Sequence, residues 1–168
     1  MLVTNPFATF TTPAGRDTLA NTLSARYDVD VEHTTHRGHA GELGARAAAQ
    51  GYDAVVVHGG DGTVNEVVNG ILGAPDRPDP ADPAALPALG VIPGGSANVF
   101  ARALGIDRDP IVATAQLIEL LDAGSRRPIS LGHTLNRWFL FNAGMGMDAI
   151  VVRRMEAKRR KGKRATAQ

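Results

Sequence analysis

Residues 55–70 constrain the fold of this chain more than any other part of the sequence. They begin with consecutive valines, pass through a glycine cluster that contains Asp61, and continue with apolar residues at helical spacing. The residues that share this i, i+3, i+4, i+7 spacing are Val64, Val67, Val68 and Ile71. That spacing predicts an amphipathic helix. In many α/β domains a strand, a glycine turn and a helix follow one another in this order. The turn then presents backbone N–H groups and the helix N-terminus to a phosphate.

Segments that favour strands alternate with segments that favour helices along residues 1–124. The predicted strands are 2–4, 29–34, 54–57 and 89–92. The predicted helices are 16–25, 40–50, 63–71, 97–104 and 111–121. This alternation predicts an α/β fold of three layers, with a mostly parallel sheet and helices on both faces. Ligands of such sheets bind at the carboxyl ends of the strands, where the loops that follow them meet.

The pattern changes in residues 125–168. Two strands are predicted at 127–131 and 138–142, with a turn at 133–136, and a basic segment follows them. We interpret this part as the incomplete start of a β-rich second domain. Because no further strands cover it, we expect residues 124–168 to be less ordered than the rest and to expose apolar surface. Residues 73–87, rich in proline and aspartate, are predicted to form a surface loop.

Composition narrows the function classes. The chain has 168 residues, enough for one domain with a sizeable core, and no cysteine, which excludes disulfides and thiolate metal sites. It shows neither a signal-peptide pattern nor an apolar run that could span a bilayer, so we expect a cytoplasmic protein.

Residues 153–164 contain eight basic side chains and one acidic one. Three interpretations of this segment stay open: a solvated helix end, peripheral contact with the anionic inner face of the membrane, and nucleic-acid contact of no consequence. Nucleic acid is not a predicted partner.

Two motifs resemble those of a known family. Residues 59–63 resemble the GGDGT nucleotide-binding motif of the diacylglycerol kinase, sphingosine kinase and NAD kinase superfamily. The residues that extend this resemblance to the lipid-kinase branch are Asn65, Glu66, Asn69 and Gly70. Residues 93–102 resemble the lipid-kinase motif Pro-x-Gly-Thr-x-Asn-Asp-Phe-Ala-Arg. Ser96 replaces the usual threonine and keeps a hydroxyl, whereas Val99 replaces the usual aspartate and removes a carboxylate.

The resemblance implies an ATP-dependent lipid kinase that transfers the γ-phosphoryl of ATP to a lipid hydroxyl with Mg²⁺, this chain carrying the nucleotide-binding part. Asp61 is the implied catalytic residue, and it would either hold Mg–ATP through water or accept the hydroxyl proton. The implied nucleotide-binding residues are Asn5, Thr34, Gly59, Gly60, Gly62, Thr63, Glu66, Gly94, Gly95, Ser96 and Asn98. Asp148 is implied on the side of the lipid substrate. No residue is predicted to bind a metal ion directly.

Structural interpretations of the same residues stay open beside these. Thr34 and Asp148 suit helix N-caps, Ser96 can cap the helix that follows it, and Glu66 suits a solvated helix face. We also expect Gly60 to need a positive φ.

The alternatives for function are a nucleotide-binding fragment without catalysis and a phosphotransferase similar to NAD kinase. Family members continue into a second domain that supplies further catalytic groups, so we expect the chain to be truncated. The sequence leaves the acceptor lipid, the activity of this chain alone and the oligomeric state undetermined.

Overall fold

The computed structural model of the chain describes residues 1–76, 82, 85–144, 147, 149–152 and 154. Its main part is a four-stranded parallel sheet with helices on both faces, which confirms the predicted fold class. The strands are β1 (Leu2–Thr4), β2 (Val31–His33), β3 (Ala54–Gly59) and β4 (Ala88–Pro93), in the spatial order β2-β1-β3-β4. The helices are α1 (Pro13–Ser24), α2 (His39–Ala49), α3 (Asp61–Leu72), α4 (Val99–Ala103) and α5 (Pro110–Asp122).

Both faces of the sheet are buried, and the valines of β3 show why. Val55 and Val57 belong to the hydrophobic cluster that includes residues of α2 and α3, whereas Val56 belongs to the cluster that includes residues of α1 and α5. Successive side chains of a strand point to opposite faces. A central parallel strand is therefore apolar at most positions, as residues 54–57 are, and His58 is the buried polar exception in β3.

Capping residues and backbone conformation set where α1 and α4 begin, and the hydrophobic periodicity of the sequence does not reveal either. α1 begins at Pro13, three residues before the predicted start, because Thr12 is its N-cap and accepts the Gly15 N–H at 3.0 Å. α4 begins only at Val99, because Asn98 lies in the left-handed region with φ 46°. A right-handed helix excludes that conformation, so the predicted helix 97–104 is shorter than expected.

Helices α2 and α3 touch through their backbones. A Cβ atom added to Gly44 would lie 2.4 Å from the Val67 carbonyl oxygen, and one added to Gly70 would lie 1.9 Å from the Gly41 carbonyl oxygen. Both distances are far below van der Waals contact. Gly70, which the sequence assigns to the extended motif, is thus explained by helix packing.

A short antiparallel hairpin follows α5, formed by β5 (Gly132–Thr134) and β6 (Arg137–Phe139). The predicted strand 127–131 is wrong, and the second strand begins and ends earlier than 138–142. The connection between the strands is only two residues long, Leu135 and Asn136, and Leu135 has φ 52°. So short a turn requires the paired residues to lie directly on either side of it.

The hairpin packs on α3 through one asparagine. The Trp138 N–H donates to Asn69 Oδ1 at 2.9 Å, and Asn69 Nδ2 donates to the Trp138 carbonyl at 3.0 Å. The indole N–H of Trp138 donates to the Gly73 carbonyl at 2.9 Å. These bonds give the hairpin a defined position, although its strands are only three residues long.

Much apolar surface after residue 124 is exposed, in agreement with the expectation. The exposed apolar side chains there are Ile129, Leu135, Phe141, Met147, Ile150, Val151 and Val152. The expected lower order of this part stays a prediction. Asp148, most of the basic segment 153–164 and much of the predicted loop 73–87 lie outside the described residues. None of the described helices combines the length and the hydropathy needed to cross a membrane.

Candidate functional site

Three loops meet at the carboxyl edge of the sheet and are joined by backbone hydrogen bonds. They are residues 5–12 after β1, residues 59–62 at the junction of β3 and α3, and residues 94–98 after β4. The Gly94 N–H donates to the Gly59 carbonyl at 2.9 Å, and the Phe10 N–H donates to the Gly94 carbonyl at 2.9 Å. Because each loop is bonded to a neighbour, their shared surface is formed before any ligand binds.

The motif glycines are needed for the approach of two backbones. A Cβ atom on Gly95 would lie 2.7 Å from Gly60 Cα, and one on Gly94 would lie 3.1 Å from Gly59 Cα. Gly60 has φ −89° and ψ 174°, an extended conformation, so the expectation of a positive φ there is wrong. Lack of space, not backbone strain, excludes a side chain at Gly95 and disfavours one at Gly94, whereas a Cβ atom on Gly60 would lie at an ordinary contact distance of 3.4 Å from Gly95 Cα.

Asp61 joins the two glycine loops. It is the first residue of α3, and its Oδ1 accepts the Phe100 N–H of α4 at 3.0 Å. A carboxylate in the first turn also interacts favourably with the helix dipole. Asp61 therefore holds α4 against the start of α3 while its carboxylate lies on the cavity described below.

Asn5 shapes the first loop and positions Thr63. Its Nδ2 donates to Thr63 Oγ1 at 2.9 Å, and its Oδ1 accepts the Phe7 N–H at 2.9 Å. Thr63 is buried, so its hydroxyl is fixed by this bond. Asn5 therefore stabilises the turn after β1 and also lies at the site.

Glu66 and Thr34 lie where β2, α2 and α3 converge. Glu66 Oε2 accepts the Gly38 N–H at 3.0 Å, so this carboxylate is bound at the start of α2 instead of lying on a solvated face. Gly38 is the N-cap of α2, with φ 92° and no capping side chain. The alternative that Thr34 caps this helix is therefore wrong. Thr34 is buried beside the cavity, and its N–H donates to the Thr4 carbonyl at 2.9 Å.

Asn98 shapes the loop after β4. Its Oδ1 accepts the Gly95 N–H at 2.9 Å, and its Nδ2 donates to the Gly95 carbonyl at 2.6 Å. Asn98 is itself the N-cap residue of α4 and makes no side-chain capping bond. Ser96 therefore does not cap α4, contrary to the expectation, and its hydroxyl lies on the cavity wall.

These loops enclose an open cavity of about 870 Å³. The expected site residues that line it are Asn5, Thr34, Gly60, Asp61, Gly62, Thr63, Glu66, Gly95 and Ser96. Gly59 and Gly94 pack behind this surface, and Asn98 lines a neighbouring cavity.

Several lining residues were not among the expected site residues. Those additional residues are Phe7, Ala8, Thr9, Thr35, His36, Arg37, Ala40 and Ala97. All but Ala40 follow a strand before the next helix begins, so the rule that ligands bind at the carboxyl ends of strands was the available signal. The His36 and His39 rings stack with centroids 4.9 Å apart, beside the start of α2.

The donor atoms on the wall suit a metal ion that enters with its ligand. Within the described ranges, no group of three or more histidine, cysteine, aspartate or glutamate residues is placed to hold a metal. The cavity wall carries the carboxylates of Asp61 and Glu66. Mg²⁺ typically binds one or two carboxylates together with substrate phosphates and several waters. Asp61 therefore fits the water shell of an Mg²⁺ ion bound to a polyphosphate, whereas Glu66 is engaged by the Gly38 N–H.

His58 lies behind the site and is part of the core. Burial lowers the pKa of His58, and the nearby positive charge of Arg16 lowers this pKa further, while the hydrogen bond between His58 Nδ1 and the Ile92 carbonyl, at 3.3 Å, opposes the shift. The imidazole is therefore neutral at physiological pH and is buried against Ile92 of β4.

Comparison with known proteins gives consistent results. The family model of the diacylglycerol kinase catalytic domain matches residues 1–133. The diacylglycerol kinase of Bacillus subtilis (strain 168) is 39% identical over 122 residues, which are 73% of this chain and 36% of that protein. The diacylglycerol kinase of Staphylococcus aureus (strain JH9) is 38% identical over 130 residues, which are 77% of this chain and 37% of that protein.

A solved structure agrees with these relatives. The crystal structure of a diacylglycerol kinase from Bacillus anthracis str. Sterne superposes with a TM-score of 0.57 at 33% identity, covering 70% of this chain and 41% of that one. The match thus spans little more than a third of the length of the curated relatives, at 36% and 37%.

Proposed function

The chain belongs to the diacylglycerol kinase catalytic domain family, and on that premise we propose that it forms the ATP-binding part of a lipid kinase. The proposed reaction transfers the γ-phosphoryl of ATP to the hydroxyl of a lipid alcohol, with diacylglycerol as the first candidate. A bond forms between the hydroxyl oxygen and the γ-phosphorus, the bond from that phosphorus to ADP breaks, and the hydroxyl proton is released. Phosphoryl transfer depends mainly on positioning and on electrostatic stabilisation.

The contact between Gly60 and Gly95 carries this proposal. It brings both glycine loops to one wall of the 870 Å³ cavity. Gly62 lies on the same wall, and a Cβ atom there would meet nothing within 4 Å. Backbone N–H groups at the start of α3 can therefore be approached by phosphate oxygens, and the helix dipole favours their negative charge.

Asp61 has the central role in the proposed chemistry. One of its oxygens is engaged by the Phe100 N–H, which fixes the carboxylate in orientation. The second oxygen would accept a hydrogen bond from a water of Mg²⁺ or take the proton of the lipid hydroxyl. When bound, Mg²⁺ would neutralise charge on the phosphates. Glu66 and Asn5 would act by positioning Gly38 and Thr63, their hydrogen-bond partners.

Calorimetric titration with ATP, in the presence and absence of Mg²⁺, tests the binding step. We expect the chain to bind Mg–ATP and the Asp61→Asn variant to bind it at least about tenfold more weakly, since a charge-assisted contact is lost. Asparagine retains an oxygen for the Phe100 N–H, so the fold should persist. Glu119→Gln, on the exposed side of α5, removes the same charge away from the site and is the matched control. Equal Mg–ATP affinity in Asp61→Asn and Glu119→Gln would exclude Asp61 from the site.

A transfer assay separates the functional alternatives. Labelled phosphate from ATP should appear on diacylglycerol presented in vesicles, and a sphingoid base and NAD serve as competing acceptors. Transfer to NAD alone would contradict the lipid-kinase assignment. ATP binding with no transfer to any acceptor would identify a nucleotide-binding chain without catalysis.

We also propose a cytoplasmic location with peripheral contact at the inner face of the membrane. The support is the lipid nature of the proposed acceptor and the basic segment 153–164. Fractionation of cells should recover the protein with membranes at low salt and release it at high salt, because such attraction is screened.

A further inference from the structure

A second cavity lies on the other side of the loop after β4. Its volume is about 470 Å³. Gly95, Ser96 and Ala97 line both this cavity and the larger one, so the loop forms the wall between them. The proposed site for ATP does not account for this space.

Two arginines line the second cavity without a partner. Arg102 and Arg108 are both exposed, and the guanidinium of neither makes an ion pair or a hydrogen bond within the described part of the chain. Arg26 and Arg46, by contrast, are each bound to a carboxylate. Two unpaired guanidinium groups at one cavity form a site for an anion with several oxygens, because the planar donor fork matches phosphate geometry.

The carboxylates nearest to Arg108 in sequence are already used. Asp107 Oδ1 accepts the Asp109 N–H at 2.8 Å. Asp109 is the N-cap of α5, and its Oδ1 accepts the Ile111 N–H at 2.7 Å. Both carboxylates are oriented toward backbone donors, and neither forms an ion pair with Arg108 within the described residues, so its guanidinium is open to a ligand.

The remaining wall of the cavity is largely apolar. Phe10, 64% exposed, contributes an aromatic ring beside Pro93, Ile106 and Pro110. The Phe10 N–H donates to the Gly94 carbonyl, and this bond fixes the backbone position from which the ring extends. Positive charge next to an apolar wall suits a phosphate attached to an apolar group.

We propose that this second cavity binds a phosphate group through Arg102 and Arg108, with Phe10 in contact with whatever carries that phosphate. Free phosphate and the headgroup of a lipid phosphate monoester share this chemistry. The inference concerns a site apart from the ATP cavity, and its tests measure binding, so it stands independently of the proposed kinase activity.

Binding of inorganic phosphate to the full chain tests the arginines. We expect the double variant Arg102→Gln/Arg108→Gln to bind phosphate at least about tenfold more weakly than the unmodified chain. The matched control, Arg127→Gln/Arg137→Gln, removes two exposed charges outside both cavities and should leave this affinity unchanged. Circular dichroism verifies that both variants fold. Phosphate binding to the second cavity should also persist at saturating ATP, and complete displacement by ATP would overturn the proposal.

Vesicles distinguish the two sources of phosphate. Phosphatidylcholine vesicles are compared with and without phosphatidic acid, and Phe10→Ser is tested beside the double variant. A lipid source predicts binding that requires phosphatidic acid and is lost in both variants. A free-phosphate source predicts binding of inorganic phosphate that Phe10→Ser does not change, and none to vesicles. If neither probe binds in a way that depends on Arg102 and Arg108, the proposal is wrong.

Discussion

At the scale of single residues, the site depends on small residues that let two loops come close as much as on residues with polar groups. Gly60 and Gly95 permit contact between two loops, and Asn98 holds the second loop by bonding both backbone groups of Gly95. The left-handed conformation of Asn98 costs free energy for most residues, but asparagine tolerates it. The geometry of the site therefore depends on residues that need not touch a ligand.

Gly95→Ala should separate the two glycine loops. The added methyl group would lie 2.7 Å from Gly60 Cα, and a backbone atom cannot yield as a flexible side chain can. We expect ATP affinity, measured by calorimetry, to fall by about tenfold or more. Ala115→Ser, at an exposed position of α5 that lines neither cavity, serves as the comparison. Unchanged affinity in Gly95→Ala would show that the loop contact does not shape the nucleotide site.

His58 should make stability depend on pH. Burial lowers the pKa of His58 in the folded state below the ordinary value of 6.5, so the unfolded chain binds more protons as pH falls below 6.5. Stability should therefore decrease from pH 6.5 downward until the lowered pKa is passed, by at most about 1.4 kcal/mol per pH unit.

Denaturation by urea at a series of pH values measures this effect. The free energy of unfolding of His58→Gln should fall less steeply in the same pH range, while that of Asn21→Gln, at an exposed position of α1, should follow the unmodified chain. Identical slopes for the chain and His58→Gln would show that His58 does not titrate differently on folding.

Among the elements, the pair α2 and α3 is the most closely packed part of the fold. Gly41, Gly44 and Gly70 lie at the contact, where a Cβ atom on each would approach a backbone carbonyl of the other helix. The start of α3 carries Asp61, and the start of α2 is bound by Glu66 of α3. Because both helix starts border the cavity, close packing of this pair fixes the geometry of the site.

Gly70→Ala should destabilise the protein although alanine favours helices. The methyl group would overlap the Gly41 carbonyl, and overpacking of this kind costs about 1–3 kcal/mol. Gly62→Ala, in the first turn of the same helix, has open space and should change stability by no more than about 1 kcal/mol, in the favourable direction. Chemical denaturation measures both. A Gly70→Ala variant as stable as Gly62→Ala would mean that the helices can separate at no cost.

At the scale of the whole molecule, the hairpin β5–β6 is attached to the sheet domain chiefly at α3. Asn69 bonds both backbone groups of Trp138, and the Trp138 indole bonds the Gly73 carbonyl. The hairpin strands are short, and an isolated two-stranded hairpin is marginally stable in water. Its order therefore depends on this attachment.

Asn69→Ala should release the hairpin without unfolding the sheet. The two hydrogen bonds to Trp138, worth about 1 kcal/mol each, are lost together with the bond from Asn69 to the Asn65 carbonyl, so the Trp138 amide should exchange its hydrogen at least about tenfold faster. Fluorescence of Trp138, which is the single tryptophan of the chain, should shift to longer wavelength. Amides of β3 should keep their protection and should exchange more slowly than those of residues 138–142 even in the unmodified chain.

The control for this experiment is Asn21→Ala, at an exposed position of α1. It should leave both the Trp138 amide and the fluorescence unchanged. Equal protection of the hairpin in Asn69→Ala and Asn21→Ala would show that Asn69 does not hold it.

The sequence by itself determined the elements of the sheet domain and the position of the site along them. Strand and helix periodicity depend on residues that are neighbours in sequence, and the two glycine motifs follow strands directly. For that reason the parallel sheet and the convergence of Gly60, Asp61 and Gly95 at its carboxyl edge were predictable. The errors at the starts of α1 and α4 arose from a cap at Thr12 and a left-handed residue at Asn98, which periodicity does not detect.

Only the tertiary structure decided what occupies the space between distant segments. The contact of Gly60 with Gly95, the bond from Asp61 to Phe100 and the attachment of Trp138 to Asn69 each join residues more than thirty positions apart. Loop residues such as Thr9 and Arg37 reach the cavity for the same reason. Such contacts depend on how close the packed elements come to one another, a distance that is set by the whole core and that no local pattern contains.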